Sequence, residues 1–195
     1  MRKLFLSSSF KDVADIFMNF VQEDLEGKTI TFIPTASIPE KVKFYVGSAK
    51  KAFQKMGLIV DELELTEATT AEIVSKLQQN DYIYISGGNT FFLLEELRKT
   101  GADKIIIEQI DLGKLYIGES AGSMIVSPNI VVPNLGTYSA LNVIDFYPIP
   151  HHTNFPFAKA VEKMISKYSS ELDLYPISNS QAILVNGNDV RVESK

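Results

Sequence analysis

Residues Leu115–Ser123 read LYIGESAGS, an apolar run broken at once by Gly-Glu-Ser-Ala-Gly. The run is a buried strand, and the glycines after it mark a turn too tight for ordinary side chains. Gly118 and Gly122 allow a close backbone approach that bulkier residues would block, which leaves Ser120 with its hydroxyl exposed on a strained strand-to-helix turn. That is a position from which a serine can act as a nucleophile.

Upstream, Tyr82–Thr90 reads YIYISGGNT, a second strand followed by a glycine turn, which leads into the helical FFLLEELRKT that Gly101 stops. Earlier still, KLFLSS is a strand. A helix from about Lys11 to Asp24 follows it, with Val13, Ile16, Phe17, Phe20 and Val21 on one face. TITFIPTAS starts another strand at Thr29, and Pro39 at the N1 position is expected to open a helix running to about Met56, before Gly57. LIVDELEL is the third strand and Thr66–Gln79 its helix, while the apolar KIIIEQIDLG leads into the serine strand. Strands alternating with helices predict an α/β fold with a doubly wound, mainly parallel sheet. In such sheets ligands bind outside the carboxyl ends of the strands, where SGGNT and GESAG both fall.

Downstream, VSPNIVVPNLG is too irregular for a helix and is expected to be a surface excursion. NVIDFYPIPHHTNF reads as extended chain, Phe157–Tyr168 as the last helix, and LDLYPIS and QAILVNGNDVRV as terminal strands with an Asn-Gly turn. There is no linker or repeat, so a single domain over 1–195 is expected.

The composition, 45% hydrophobic and 22% charged, is that of a soluble globular protein. A net charge of −5 without long basic runs argues against a nucleic-acid partner, and Lys41, Lys43, Lys50, Lys51 and Lys55 read as a solvated helix face. The chain has no cysteine, which removes thiolate chemistry and disulfides. No run suits a membrane span or a signal peptide, so a cytoplasmic location and no membrane partner are expected. No metal or other cofactor is expected either, because two adjacent histidines and scattered carboxylates make no ligand spacing.

A serine nucleophile needs a base, and the chain has two histidines, His151 and His152. In an extended stretch neighbouring side chains point to opposite sides, so one of them is expected to face Ser120. The N–H of Ala121 at the helix start, with that of Gly88 across the sheet, would supply an oxyanion hole. Blander readings stay open at this point: a plain tight turn for G-x-S-x-G, a phosphate loop or helix cap for GGNT, and surface polarity for the histidines.

Taken in order, strand-SGGNT-helix, GESAGS at a strand end and ALNVIDFYPIPHHTN some twenty residues on resemble the peptidase E family of serine dipeptidases, relatives of cyanophycinase. The resemblance spans nearly the whole chain. It implies a class I glutamine amidotransferase-like fold, a flavodoxin-like three-layer sandwich. It also implies a serine peptidase that cleaves short peptides through an acyl-enzyme, with Ser120 as nucleophile, His151 as base, and Gly88 and Ala121 at the oxyanion hole. Asn89, Glu119, His152 and Asn154 are further candidates for binding or orienting the substrate, a small peptide. The oligomeric state is left open, with a homodimer among the options.

Two departures from the family pattern stand out. The acidic third residue of aspartyl dipeptidases, some fifteen positions after the serine, is missing; PNIVVPNLG has Leu135 near that place, so a Ser120–His151 dyad is expected, with Glu119 and Asp145 as the remaining acids that could orient the base. The loop arginine that reads an aspartyl side chain is also missing, since the arginines are Arg2, Arg98 and Arg191, and strict aspartyl specificity is not expected. The competing readings are an esterase of the α/β-hydrolase type, which shares G-x-S-x-G, and a non-catalytic flavodoxin-like module that binds a small ligand.

Overall fold

Seven strands form one sheet in the computed structural model, which describes residues 1–132 and 136–195. They are β1 (Lys3–Ser7), β2 (Thr29–Ile33), β3 (Ile59–Glu62), β4 (Tyr82–Ile85), β5 (Leu115–Glu119), β10 (Gln181–Asn186) and β11 (Asp189–Ser194), in the order β11-β10-β1-β5-β4-β2-β3. The five strands from β1 to β3 in that order run parallel, and β10 and β11 close the edge antiparallel. The Asn-Gly turn joins β10 to β11, with Gly187 at φ 61°.

Period-two alternation sends the strand side chains into two layers. Phe5, Ile30, Phe32, Tyr82, Tyr84, Leu115 and Ile117 pack under α1 (Ala14–Val21) and α2 (Phe44–Lys55), where Phe10 and Phe53 stack at 4.1 Å. Leu4, Leu6, Ile83, Ile85 and Tyr116 face α3 (Thr70–Gln79), α4 (Thr90–Thr100), α5 (Ala102–Asp111) and the short α6 (Ala121–Met124). Each fully buried Leu, Ile or Phe contributes roughly 1.5–3 kcal/mol. This is the expected α/β three-layer architecture.

Several boundaries differ from the sequence reading. Pro39 does not open α2. The chain after β2 winds through successive tight turns, with the N–H groups of Ser37, Ile38 and Glu40 bonded to the carbonyls of Pro34, Thr35 and Ser37, and the helix starts at Phe44. α3 begins at Thr70 because Thr69 caps it, its hydroxyl accepting the Glu72 N–H at 3.2 Å. KIIIEQIDLG lies in a separate helix, α5, and Gly101 at φ 75° ends α4 and starts α5.

The excursion after α6 carries an antiparallel pair, β6 (Asn129–Val132) and β7 (Gly136–Ser139); Pro133, Asn134 and Leu135 lie outside the described residues. A third small sheet pairs β8 (Tyr147–Ile149) with β9 (Leu174–Pro176) in parallel, and α7 (Ala158–Tyr168) crosses between them. Among the described residues no helix is long and apolar enough to cross a membrane.

Candidate active site

Ser120 is the single residue between β5 and α6, and its backbone sits at φ 50° and ψ −105°. Such a conformation costs a residue with a side chain roughly 1–3 kcal/mol and persists only where its surroundings impose it. Here they do. The Ser120 N–H donates to the Ser7 carbonyl at 2.8 Å, and the Ser120 carbonyl accepts from the N–H groups of Ser123 and Met124 at 2.9 and 3.0 Å. A Cβ on Gly118 would lie 2.7 Å from the Gly122 carbonyl, and one on Gly122 would lie 2.2 Å from the carbonyl oxygen of Ile85. The two glycines are therefore steric requirements of the turn. The buried Ser123 hydroxyl, 2.8 Å from the carbonyl oxygens of Ser7 and Gly118, ties α6 to both strands.

The small parallel sheet positions the histidine. Ile149 pairs with Pro176, so the chains leaving β8 and β9 run side by side, held by Ile177 N–H to Ile149 and His152 N–H to Ile177, both 3.0 Å. His151 thereby lies beside Asn179. Its Nδ1 is 2.9 Å from Asn179 Oδ1, and its Nε2 is 3.0 Å from Ser120 Oγ. An amide oxygen can only accept, which places the ring proton on Nδ1 and leaves the Nε2 lone pair facing the serine hydroxyl. Two polar residues hold this arrangement. Asn154 Oδ1 accepts the Asn179 N–H at 2.8 Å, and the Ser8 hydroxyl accepts the His151 N–H at 3.0 Å while donating to the Ile177 carbonyl. Ser8 reaches that point because Ser7 is in register with Glu119 across β1 and β5. Burial, partly offset by the bond to Asn179, holds the His151 pKa below its usual 6.5, so the ring is neutral at neutral pH.

The stretch around the histidines is not extended beyond Ile149. His151 and Thr153 have φ of 63° and 67°, and residues 150–153 form a turn, so the alternation argument for His152 does not apply. Among the described residues the His152 imidazole makes no hydrogen bond. Asn179, on the far side of the imidazole from Ser120, is a contact the sequence did not point to.

Other candidates have different partners. Asn89 caps α4, its Oδ1 accepting from Phe91 and Phe92 N–H at 3.1 and 3.0 Å. Gly88, at φ 137°, lies so close to Ala36 that a Cβ would come within 2.1 Å of its carbonyl oxygen. The preceding Gly87 packs on the serine, with a Cβ there 3.1 Å from Ser120 Cβ. Neither the Gly88 nor the Ala121 N–H has a hydrogen-bond partner among the described residues. Asp145 is exposed, on an open cleft it shares with Arg2.

Glu119 does not orient His151. It shares a strand face with Leu115 and Ile117, and its buried carboxyl accepts from the Phe10 N–H at 2.9 Å and from the Tyr84 hydroxyl. Burial pushes its pKa up to about 7 from an ordinary 4.5, although both hydrogen bonds act to lower it. An acid that holds its proton more tightly when folded loses stability as the pH rises from the unfolded to the folded pKa, here from about 4.5 to about 7. That interval corresponds to about 3 kcal/mol. Glu119→Gln is expected to remove this dependence and to be the more stable protein at pH 8. Urea denaturation of both proteins at pH 5 and pH 8 checks it; parallel pH dependences would contradict it.

The fold and this geometry describe an α/β hydrolytic enzyme with a serine at a strand-to-helix elbow, facing an imidazole. The family model for peptidase family S51 matches residues 4–193, and the chain belongs to that family. It is a peptidase of the serine type. Uncharacterized peptidase PM1590 of Pasteurella multocida is 52% identical, with 98% of this chain and 97% of that protein covered. Uncharacterized peptidase Lmo0363 of Listeria monocytogenes is 50% identical, with 97% of each covered. The crystal structure of a candidate peptidase E protein from L. monocytogenes EGD-e superposes with a TM-score of 0.93 at 49% identity, covering 100% of this chain and 99% of that one. Family membership sets aside both the α/β-hydrolase esterase and the non-catalytic module.

Proposed function

We propose that the chain hydrolyses short peptides through an acyl-enzyme on Ser120, with His151 as general base and Asn179 as the residue that orients it. The observation that carries this is the unbroken chain of contacts from Ser120 Oγ to His151 Nε2 at 3.0 Å and from His151 Nδ1 to Asn179 Oδ1 at 2.9 Å. His151 takes the hydroxyl proton as Oγ attacks the peptide carbonyl, then returns it to the leaving amine; water repeats the cycle to free the acid. The unpartnered N–H groups of Gly88 and Ala121 receive the oxyanion, and one such donor is worth roughly 3–4 kcal/mol. A small peptide is the substrate, and the chemistry requires no cofactor.

A neutral amide fixes the tautomer but stabilises the imidazolium less than a carboxylate does. Asn179→Ala is expected to lower kcat/KM by about 10²–10⁴-fold, the range a misoriented base costs. Asn179→Asp is expected to keep activity and to move the acid limb of the pH–rate profile to higher pH, because a carboxylate beside His151 raises its pKa. An unchanged profile in Asn179→Asp, with full activity in Asn179→Ala, would remove Asn179 from the mechanism.

Aspartyl specificity is not expected. Arg2 pairs with Asp111, Arg98 bonds the Ser139 carbonyl, and Arg191 pairs with Asp189 and Glu193. Asp-Leu is expected to exceed Ala-Leu by less than about 100-fold in kcat/KM, about 2.7 kcal/mol. A larger ratio would show that another cation reads the carboxylate.

A further inference from the structure

Phe157 combines two properties that do not belong together in a residue serving only the fold. Its ring stacks on the His151 imidazole with centroids 4.8 Å apart and planes 29° from parallel, yet half of the residue stays exposed. Phe155, two positions earlier, is 96% exposed. The segment that carries them is pinned by its backbone: Asn154 N–H donates to the His151 carbonyl at 3.0 Å, and Phe157 and Ala158 N–H donate to the Asn154 carbonyl at 2.9 Å. The aromatic surface is therefore fixed relative to the base. A half-exposed ring fixed against the base offers apolar area to a bound substrate.

The chemistry of acyl transfer says which part of a substrate reaches that place. The base must stand between the serine oxygen and the departing amine, since the proton it takes from the one goes to the other. A surface stacked on His151 is therefore within reach of the residue that leaves.

We propose that Phe157, with Phe155 at its rim, is the floor of a subsite for the side chain of the residue that leaves, and that this subsite selects aromatic and branched aliphatic residues there. The proposal rests on Ser120 and His151 having the roles given above. Contacts of this kind discriminate by roughly 10–200-fold.

The test is kcat/KM for Ala-Phe, Ala-Leu, Ala-Asn and Ala-Gly, which share an acyl part and differ in the leaving residue, together with labelling of the same protein by a fluorophosphonate. Ala-Phe and Ala-Leu are expected to exceed Ala-Gly by at least about 10-fold, with Ala-Asn, close to leucine in size but polar, near Ala-Gly. In Phe157→Ala the ratio of Ala-Phe to Ala-Gly is expected to fall to within about threefold, and in Phe157→Leu to keep most of its wild-type value. Because the readout is a ratio within one protein, a general loss of activity does not affect it. Ser120 labelling without apolar preference in the wild type, with no panel member cleaved, or with a ratio that Phe157→Ala leaves unchanged, overturns the subsite alone. No labelling and no cleavage overturns the serine mechanism, and the subsite with it.

Discussion

His151→Ala is expected to lose phosphonylation of Ser120 at neutral pH, with a fall of about 10²–10⁴-fold in its rate, because an unassisted serine hydroxyl is a weak nucleophile. His152→Ala is expected to change that rate by less than about threefold. The difference comes from the turn at 150–153: it directs the His151 ring to Ser120 Oγ, whereas His152 contributes its N–H to Ile177, a bond that alanine keeps. Second-order labelling rates of the two variants against wild type are the measurement. Equal losses, or a greater loss from His152→Ala, would assign the base to the wrong imidazole.

Ser120→Ala is expected to lower peptide hydrolysis by about 10⁴–10⁶-fold, the loss seen when a nucleophile is removed from a cooperating set. The fold should survive, since the Ser120 side chain makes no hydrogen bond except that to His151 among the described residues. The same position reports on strain. At φ 50° a Cβ is unfavourable, so Ser120→Gly, equally inactive, is expected to be more stable than Ser120→Ala by about 1 kcal/mol. Circular dichroism, thermal unfolding and turnover of the two variants check both statements. Residual turnover near wild type in either would remove Ser120 from the chemistry.

The sheet and its active edge were legible because they rest on short-range patterns. LYIG and YIYI announce strands by composition, Gly101 ends a helix by its left-handed backbone, and Gly118 and Gly122 flank the serine where only hydrogen fits. Period two even carries the fate of Glu119, two residues beyond Ile117 and so committed to the α1/α2 layer. Asn179 was not legible. It lies 28 residues from His151, and only the parallel pairing of Ile149 with Pro176 brings the two chains together. The polar S-N-S after Ile177 was the available signal, but without the register it reads as an ordinary turn. Ser8 was missed for the same reason, since its place beside the site depends on the β1–β5 register. The extended reading of PIPHHTNF failed because short-range rules give no warning of positive φ at His151 and Thr153. Asn89 shows the opposite case: the plain helix-cap reading, kept open from the sequence, is where its side-chain oxygen goes.

The most direct test of the central claim is the intact mass of the protein after treatment with a fluorophosphonate at neutral pH, followed by mapping of the modified peptide. One adduct per chain is expected, on Ser120, formed by wild type and absent from Ser120→Ala. An unmodified protein, or an adduct on Ser123 or any other residue, would contradict it.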